Sequence, residues 1–99
     1  MNGEPGTIYL LHYAAAIGNP ASKYGTAQHY TGWARNLPAR LTHHARGTAG
    51  VPITAAFAAA GIGFQLARTW PGDRTRERRI KNQGGASRHC PLCKTGGPR

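Results

Sequence analysis

Between Asn36 and Gly47 the chain carries both ends of a helix, and those fixed ends constrain everything around them. Asn36 has the side-chain oxygen of an N-cap, Pro38 falls in the first turn where a missing N–H costs nothing, and Gly47 stops the run. Leu37, Leu41 and Ala45 recur at helical spacing in between. Upstream, residues 7–13 (TIYLLHY) and 29–33 (HYTGW) are rich in β-branched and aromatic side chains, which predicts two strands. Gly18-Asn19-Pro20 and Gly25 are breakers, so residues 14–27 are read as a long loop joining those strands as an antiparallel pair. Downstream, residues 52–60 (PITAAFAAA) are predicted as an Ala-rich second helix, with Ile53 and Phe57 on one face and Gly61 as its stop. Residues 63–70 (GFQLARTW) alternate Phe64, Leu66 and Arg68 against Gln65, Ala67 and Thr69, the pattern of a third strand. Asp73 caps a third helix that runs to about Asn82 and ends at Gly84-Gly85. The order β-β-α-α-β-α predicts an α+β domain over residues 1–85, a small three-stranded antiparallel sheet flanked by three helices. Residues 86–99 lack apolar periodicity and are expected to form a basic tail.

Charge says more about partners than about fold. Thirteen Lys and Arg face three acids, a formal net charge of +10. Residues 1–34 balance Lys23 against Glu4, so the whole excess lies from Arg35 onward. Ten of the thirteen cations are Arg, whose planar fork binds phosphate in bidentate fashion, and the expected partner is nucleic acid. The start Met1-Asn2-Gly3-Glu4-Pro5 lacks the basic and apolar regions of a signal peptide, and no apolar stretch is long enough to span a membrane. A cytoplasmic location without membrane attachment is the expectation.

Phosphodiester hydrolysis needs an activated water, a base for its proton and cations for the phosphoryl oxygens. Arg40 and His44, four residues apart, project from one helix face and could offer a cation and an imidazole to one phosphate. A solvated helix face fits the same spacing. Glu77 and Lys81 are also four apart, a pattern equally suited to an ordinary helix ion pair. With so few carboxylates, a two-metal site is disfavoured, and a single ion would depend mainly on Glu77.

The set Tyr30-Thr31-Gly32, Asn36-Leu37, Arg40 and His44 resembles the second motif of the GIY-YIG nucleases, a strand running into a catalytic helix. Thr7-Ile8-Tyr9 resembles the first motif, and Glu77 falls where that family carries its metal-binding glutamate. The resemblance covers residues 6–82. It implies an endonuclease that hydrolyses DNA with one divalent cation, Mg²⁺ or Mn²⁺, held by Glu77. It further implies that Tyr9 serves as general base or water-positioning phenol with Tyr30 as its hydrogen-bonded partner. Arg40 would bind the scissile phosphate and His44 would bond the tyrosine or the phosphate. Gly32 would leave room for the approaching phosphate, while Arg35 and Lys81 would supply further substrate-binding charge. Thr7, Thr31 and Trp33 depart from the family pattern, Trp33 replacing a polar residue often a lysine. The alternative is a module of the same fold that binds nucleic acid without cutting it, stabilised by zinc at the tail.

Cys90-Pro91-Leu92-Cys93 offers two thiolates at a spacing suited to half a tetrahedral zinc site. With no second cysteine pair, two histidines would have to complete it, His89 with His12, His29 or His43. A redox pair and two plain reduced thiols fit the sequence as well.

Overall fold

Alternation along Ile8–Tyr13 decides the architecture, because successive side chains of a strand leave on opposite faces. In the computed structural model, which describes residues 6–18, 26–82 and 90–91, this segment is the centre of a long strand, β1 (Gly6–Gly18). It pairs antiparallel with β2 (Thr26–Ala34) on one side and β3 (Phe64–Gly72) on the other, giving the strand order β2-β1-β3. The helices are α1 (Leu37–Arg46), α2 (Pro52–Ala59) and α3 (Arg74–Asn82). The fold is α+β with the expected element order β-β-α-α-β-α.

Both faces of β1 are covered, which is why its centre is continuously apolar. Ile8 and Leu10 pack with Trp70 of β3, Ile80 of α3 and Cys90, and Trp33 and Ala67 lean on that cluster. Tyr9, Leu11 and Tyr13 pack on the other face with Phe57 of α2, with Leu37 and Leu41 of α1 against them. Tyr13 stacks on Phe57 with ring centroids 3.6 Å apart.

The helix caps behave as their chemistry dictates. The Asn36 side chain accepts a bond from the Ala39 N–H at 3.1 Å, and Gly47 closes α1 in the left-handed region with φ 75°. Asp73 accepts from the Arg76 N–H at 3.0 Å.

The strands differ from expectation in two respects. The loop read at residues 14–27 is shorter, because β1 continues to Gly18 and Ile17 pairs with Ala27 after a register shift beyond His12. The Ala14 N–H also donates to the Gly63 carbonyl at 2.9 Å, so the backbone there is satisfied by strand partners that alanine-rich sequence does not advertise. In β3 the alternation breaks at a bulge: Leu10 faces Arg68 while Leu11 faces Leu66, leaving Ala67 as the extra residue. The strand also runs on through Pro71 to Gly72, tolerable at the sheet edge where Pro needs no ladder N–H. Finally, the stretch set apart as a tail contributes a core residue, since Cys90 is fully buried among Ile8, Leu10, Trp70 and Ile80. Cys93 and His89 lie outside the described residues.

Candidate active site

Tyr9 stands at the centre of β1, opposite Gly32 in β2, so the first and second motifs meet through strand register. A Cβ on Gly32 would collide with the Tyr9 hydroxyl and the Tyr30 ring. Space at Gly32 is therefore taken by the two tyrosines, where an approaching phosphate was expected.

The hydrogen-bonded partner of Tyr9 is His44, whose expected partner was the tyrosine or the phosphate, and not Tyr30. The Tyr9 hydroxyl lies 2.6 Å from His44 Nε2, in a buried contact between the sheet and α1. Tyr30 approaches ring to ring instead, with its centroid 6.2 Å from Tyr9 and 5.2 Å from His44. On its far side His44 Nδ1 lies 3.0 Å from the hydroxyl oxygen of Thr54, in the first turn of α2. Thr54 donates its own proton to the Val51 carbonyl at 3.1 Å. That oxygen can then only accept, so Nδ1 carries the imidazole proton and Nε2 presents a lone pair to the Tyr9 hydroxyl. Thr54 is fully buried and was not among the expected site residues; its one signal in the sequence is a lone hydroxyl in the otherwise apolar run of residues 52–60.

Electrostatics agree with that proton assignment. Burial, then the nearby Arg40 and His43 charges, lower the His44 pKa to about 4, so the imidazole is neutral at pH 7. Burial and the neighbouring Tyr30 push the Tyr9 phenol above its ordinary value; Arg40 pulls it down and Glu77 adds to the rise. Both Arg40 and Glu77 are thus within electrostatic reach of Tyr9.

The remaining residues lie around this centre. Arg40 donates weakly to the Ala49 carbonyl at 3.4 Å and lines a groove of about 490 Å³ with Trp33, Arg35, Asn36, His43 and Arg74. Trp33 donates its indole N–H to the Gly72 carbonyl at 2.9 Å, and Arg74 lies over its ring at 4.9 Å. Trp33 therefore has a cation from α3 beside it. Glu77 is ion-paired with Lys81 at 2.9 Å, and the Lys81 ammonium sits 5.5 Å from the Tyr30 ring centroid. His43 is exposed and contacts Thr48 at 3.0 Å.

A second group lies further along the same strands. His12 and His29 are cross-strand partners, and with Cys90 they form a candidate metal-binding group whose ligand atoms all lie within 4.8 Å of one another. No helix among the described residues is long and apolar enough to cross a membrane. Compared with known proteins, the chain matches no family model, no curated protein and no solved structure.

Proposed function

We propose that this protein is a metal-dependent endonuclease of the GIY-YIG type, hydrolysing DNA phosphodiester bonds with one divalent cation. The observation that supports the reading most is the convergence on Tyr9. His44 bonds its hydroxyl, Tyr30 packs beside its ring, Gly32 makes room for it, and Arg40 and Glu77 act on its charge.

In this reading Tyr9 works as a proton relay. The attacking water gives a proton to the Tyr9 oxygen as the Tyr9 proton moves to His44 Nε2. The water oxygen bonds to phosphorus while the bond from phosphorus to the leaving sugar oxygen breaks, and that oxygen departs with the electron pair and takes a proton from solvent water. Such a transfer never requires a free phenolate, in keeping with a phenol pushed above its ordinary pKa. Thr54 holds the imidazole in the tautomer that can receive the proton. Arg40 neutralises charge on the non-bridging phosphate oxygens. Glu77, mostly buried and within electrostatic reach of Tyr9, is the carboxylate that would hold a Mg²⁺ ion. Bound there, such an ion would supply Lewis-acid stabilisation of the charge that develops on the phosphate. DNA is gripped by the arginines, including those of the groove beside Arg40 and of a second one lined by Arg68, Arg76 and Arg79.

One observation favours a second reading, a module that binds DNA without cutting: the Glu77 carboxylate is already engaged by Lys81. A cleavage assay over duplex, flapped, branched and single-stranded DNA, with Mg²⁺ or Mn²⁺, separates the two. Cutting that Glu77→Ala abolishes while salt-sensitive binding persists supports the nuclease. Binding without cutting by the unmodified chain on every substrate supports the second reading.

A further inference from the structure

We infer that His12, His29 and Cys90 form a binding site for a thiophilic divalent ion of the zinc class, on the face of the sheet opposite Tyr9. Strand register brings the histidines together. His12 of β1 is the cross-strand partner of His29 of β2, so both side chains leave the same face of the sheet. Ile8 and Leu10 share that face by alternation along β1, and Cys90 is fully buried against them, which carries its thiol to the histidines. Tyr9 and Leu11 lie on the other face. His12 Nδ1 lies 3.1 Å from His29 Nε2 and 3.4 Å from Cys90 Sγ, and the three ligand atoms all lie within 4.8 Å of one another. A ring nitrogen directs a single proton or a single lone pair in its plane, so it bonds one such neighbour well and not two. One ion between the three atoms satisfies all of them at once. With Zn–N about 2.0–2.1 Å and Zn–S about 2.3 Å, neighbouring ligand atoms of a tetrahedral zinc stand roughly 3.3–3.6 Å apart, close to the separations found.

The donor set selects the ion. Two imidazole nitrogens and a thiolate suit Zn²⁺, with Co²⁺ as its spectroscopic stand-in, and disfavour the hard, oxygen-seeking Mg²⁺ proposed at Glu77. Binding exchanges the Cys90 thiol proton, released to solvent, for the ion, so the buried sulfur becomes a thiolate that keeps a positive partner. Access is open as well. Both histidines are half-buried, and His12 borders a cavity of about 390 Å³ with Phe64 and Gln65, so an ion can reach the group from solvent. The three ligands come from β1, β2 and residue 90, stretches that only the folded chain holds together. The ion therefore binds the folded form in preference and stabilises it by mass action.

Titration of the chelator-stripped full-length chain with Co²⁺ tests this. Saturation near about one Co²⁺ per chain is expected, with a thiolate-to-cobalt charge-transfer band that added Zn²⁺ abolishes. His12→Ala and His29→Ala should each weaken Co²⁺ binding by more than the ~10–100-fold that loss of a group hydrogen-bonded to a ligand costs. Zn²⁺ should also raise the thermal midpoint of the unmodified chain in proportion to the logarithm of its concentration. Absence of the charge-transfer band at saturating Co²⁺ overturns the inference. Unchanged Co²⁺ affinity in both histidine variants overturns it too, because the sulfur would then bind the ion without them. Should those variants fail to fold, X-ray absorption of the Zn²⁺-loaded unmodified chain decides: imidazole nitrogen and sulfur bonded to the ion are expected, and the lack of either contradicts the site. None of these readouts depends on DNA cleavage, so the site can fail or stand independently of the nuclease reading.

Discussion

Two histidine clusters share β1, and they differ in how their ring nitrogens are occupied. At His44 each nitrogen has one partner, Tyr9 on Nε2 and Thr54 on Nδ1, and every proton in the chain to Val51 can be assigned. At His12 one nitrogen faces two partners, His29 and Cys90. One-to-one occupancy holds a neutral imidazole in a fixed tautomer, which suits proton transfer. Two-on-one occupancy, with three ligand atoms within 4.8 Å of one another, is an arrangement that could hold a metal ion. Under the proposed function the first cluster carries the chemistry, and the second stands apart from it.

Substitution at His44 should separate the clusters most sharply. His44→Ala is expected to slow DNA cutting by ~10²–10³-fold, the usual worth of a positioned base, while zinc content stays unchanged. Thr54→Val, which removes the acceptor that holds the tautomer, should cost ~10-fold and move the acid limb of the pH–rate profile. Single-turnover rates with metal analysis of the same samples check both. Loss of zinc in His44→Ala would show the clusters to be coupled.

A smaller effect distinguishes them by pH. The folded His44 pKa near 4 lies below its unfolded value of about 6.5, so the unfolded chain binds the extra proton first. This contribution is fully present above about pH 6.5 and is lost as pH falls towards 4. Denaturant melts of zinc-saturated protein at successive pH values should show that loss, and His44→Gln should flatten it.

How much of this was legible in the sequence follows from how local each signal is. The caps at Asn36, Asp73 and Gly47 were readable because capping involves residues within one turn. The extension of β1 to Gly18 was not, since alanines carry little strand preference and the pairing resumes only after a register shift. The bulge at Ala67 is likewise set by the partner strand. At the candidate site, Tyr9, Tyr30, Arg40, His44 and Glu77 could be named from their order along the chain, but order alone left His44 between two partners and gave Tyr9 a bond to Tyr30 that is not formed. That His44 bonds Tyr9 and leans on Thr54 depends on how α1 and α2 pack on the sheet. The pairing of His12 with His29 depends on hairpin register, and a slip of one residue would send them to opposite faces.

The account rests on Tyr9 as the relay through which water is activated. Its most direct test is a single-turnover time course of DNA nicking in Mg²⁺, comparing the unmodified chain with Tyr9→Phe. The expected result is Mg²⁺-dependent nicking that falls by ~10³-fold in Tyr9→Phe with DNA affinity retained. Nicking at an undiminished rate by Tyr9→Phe would contradict it.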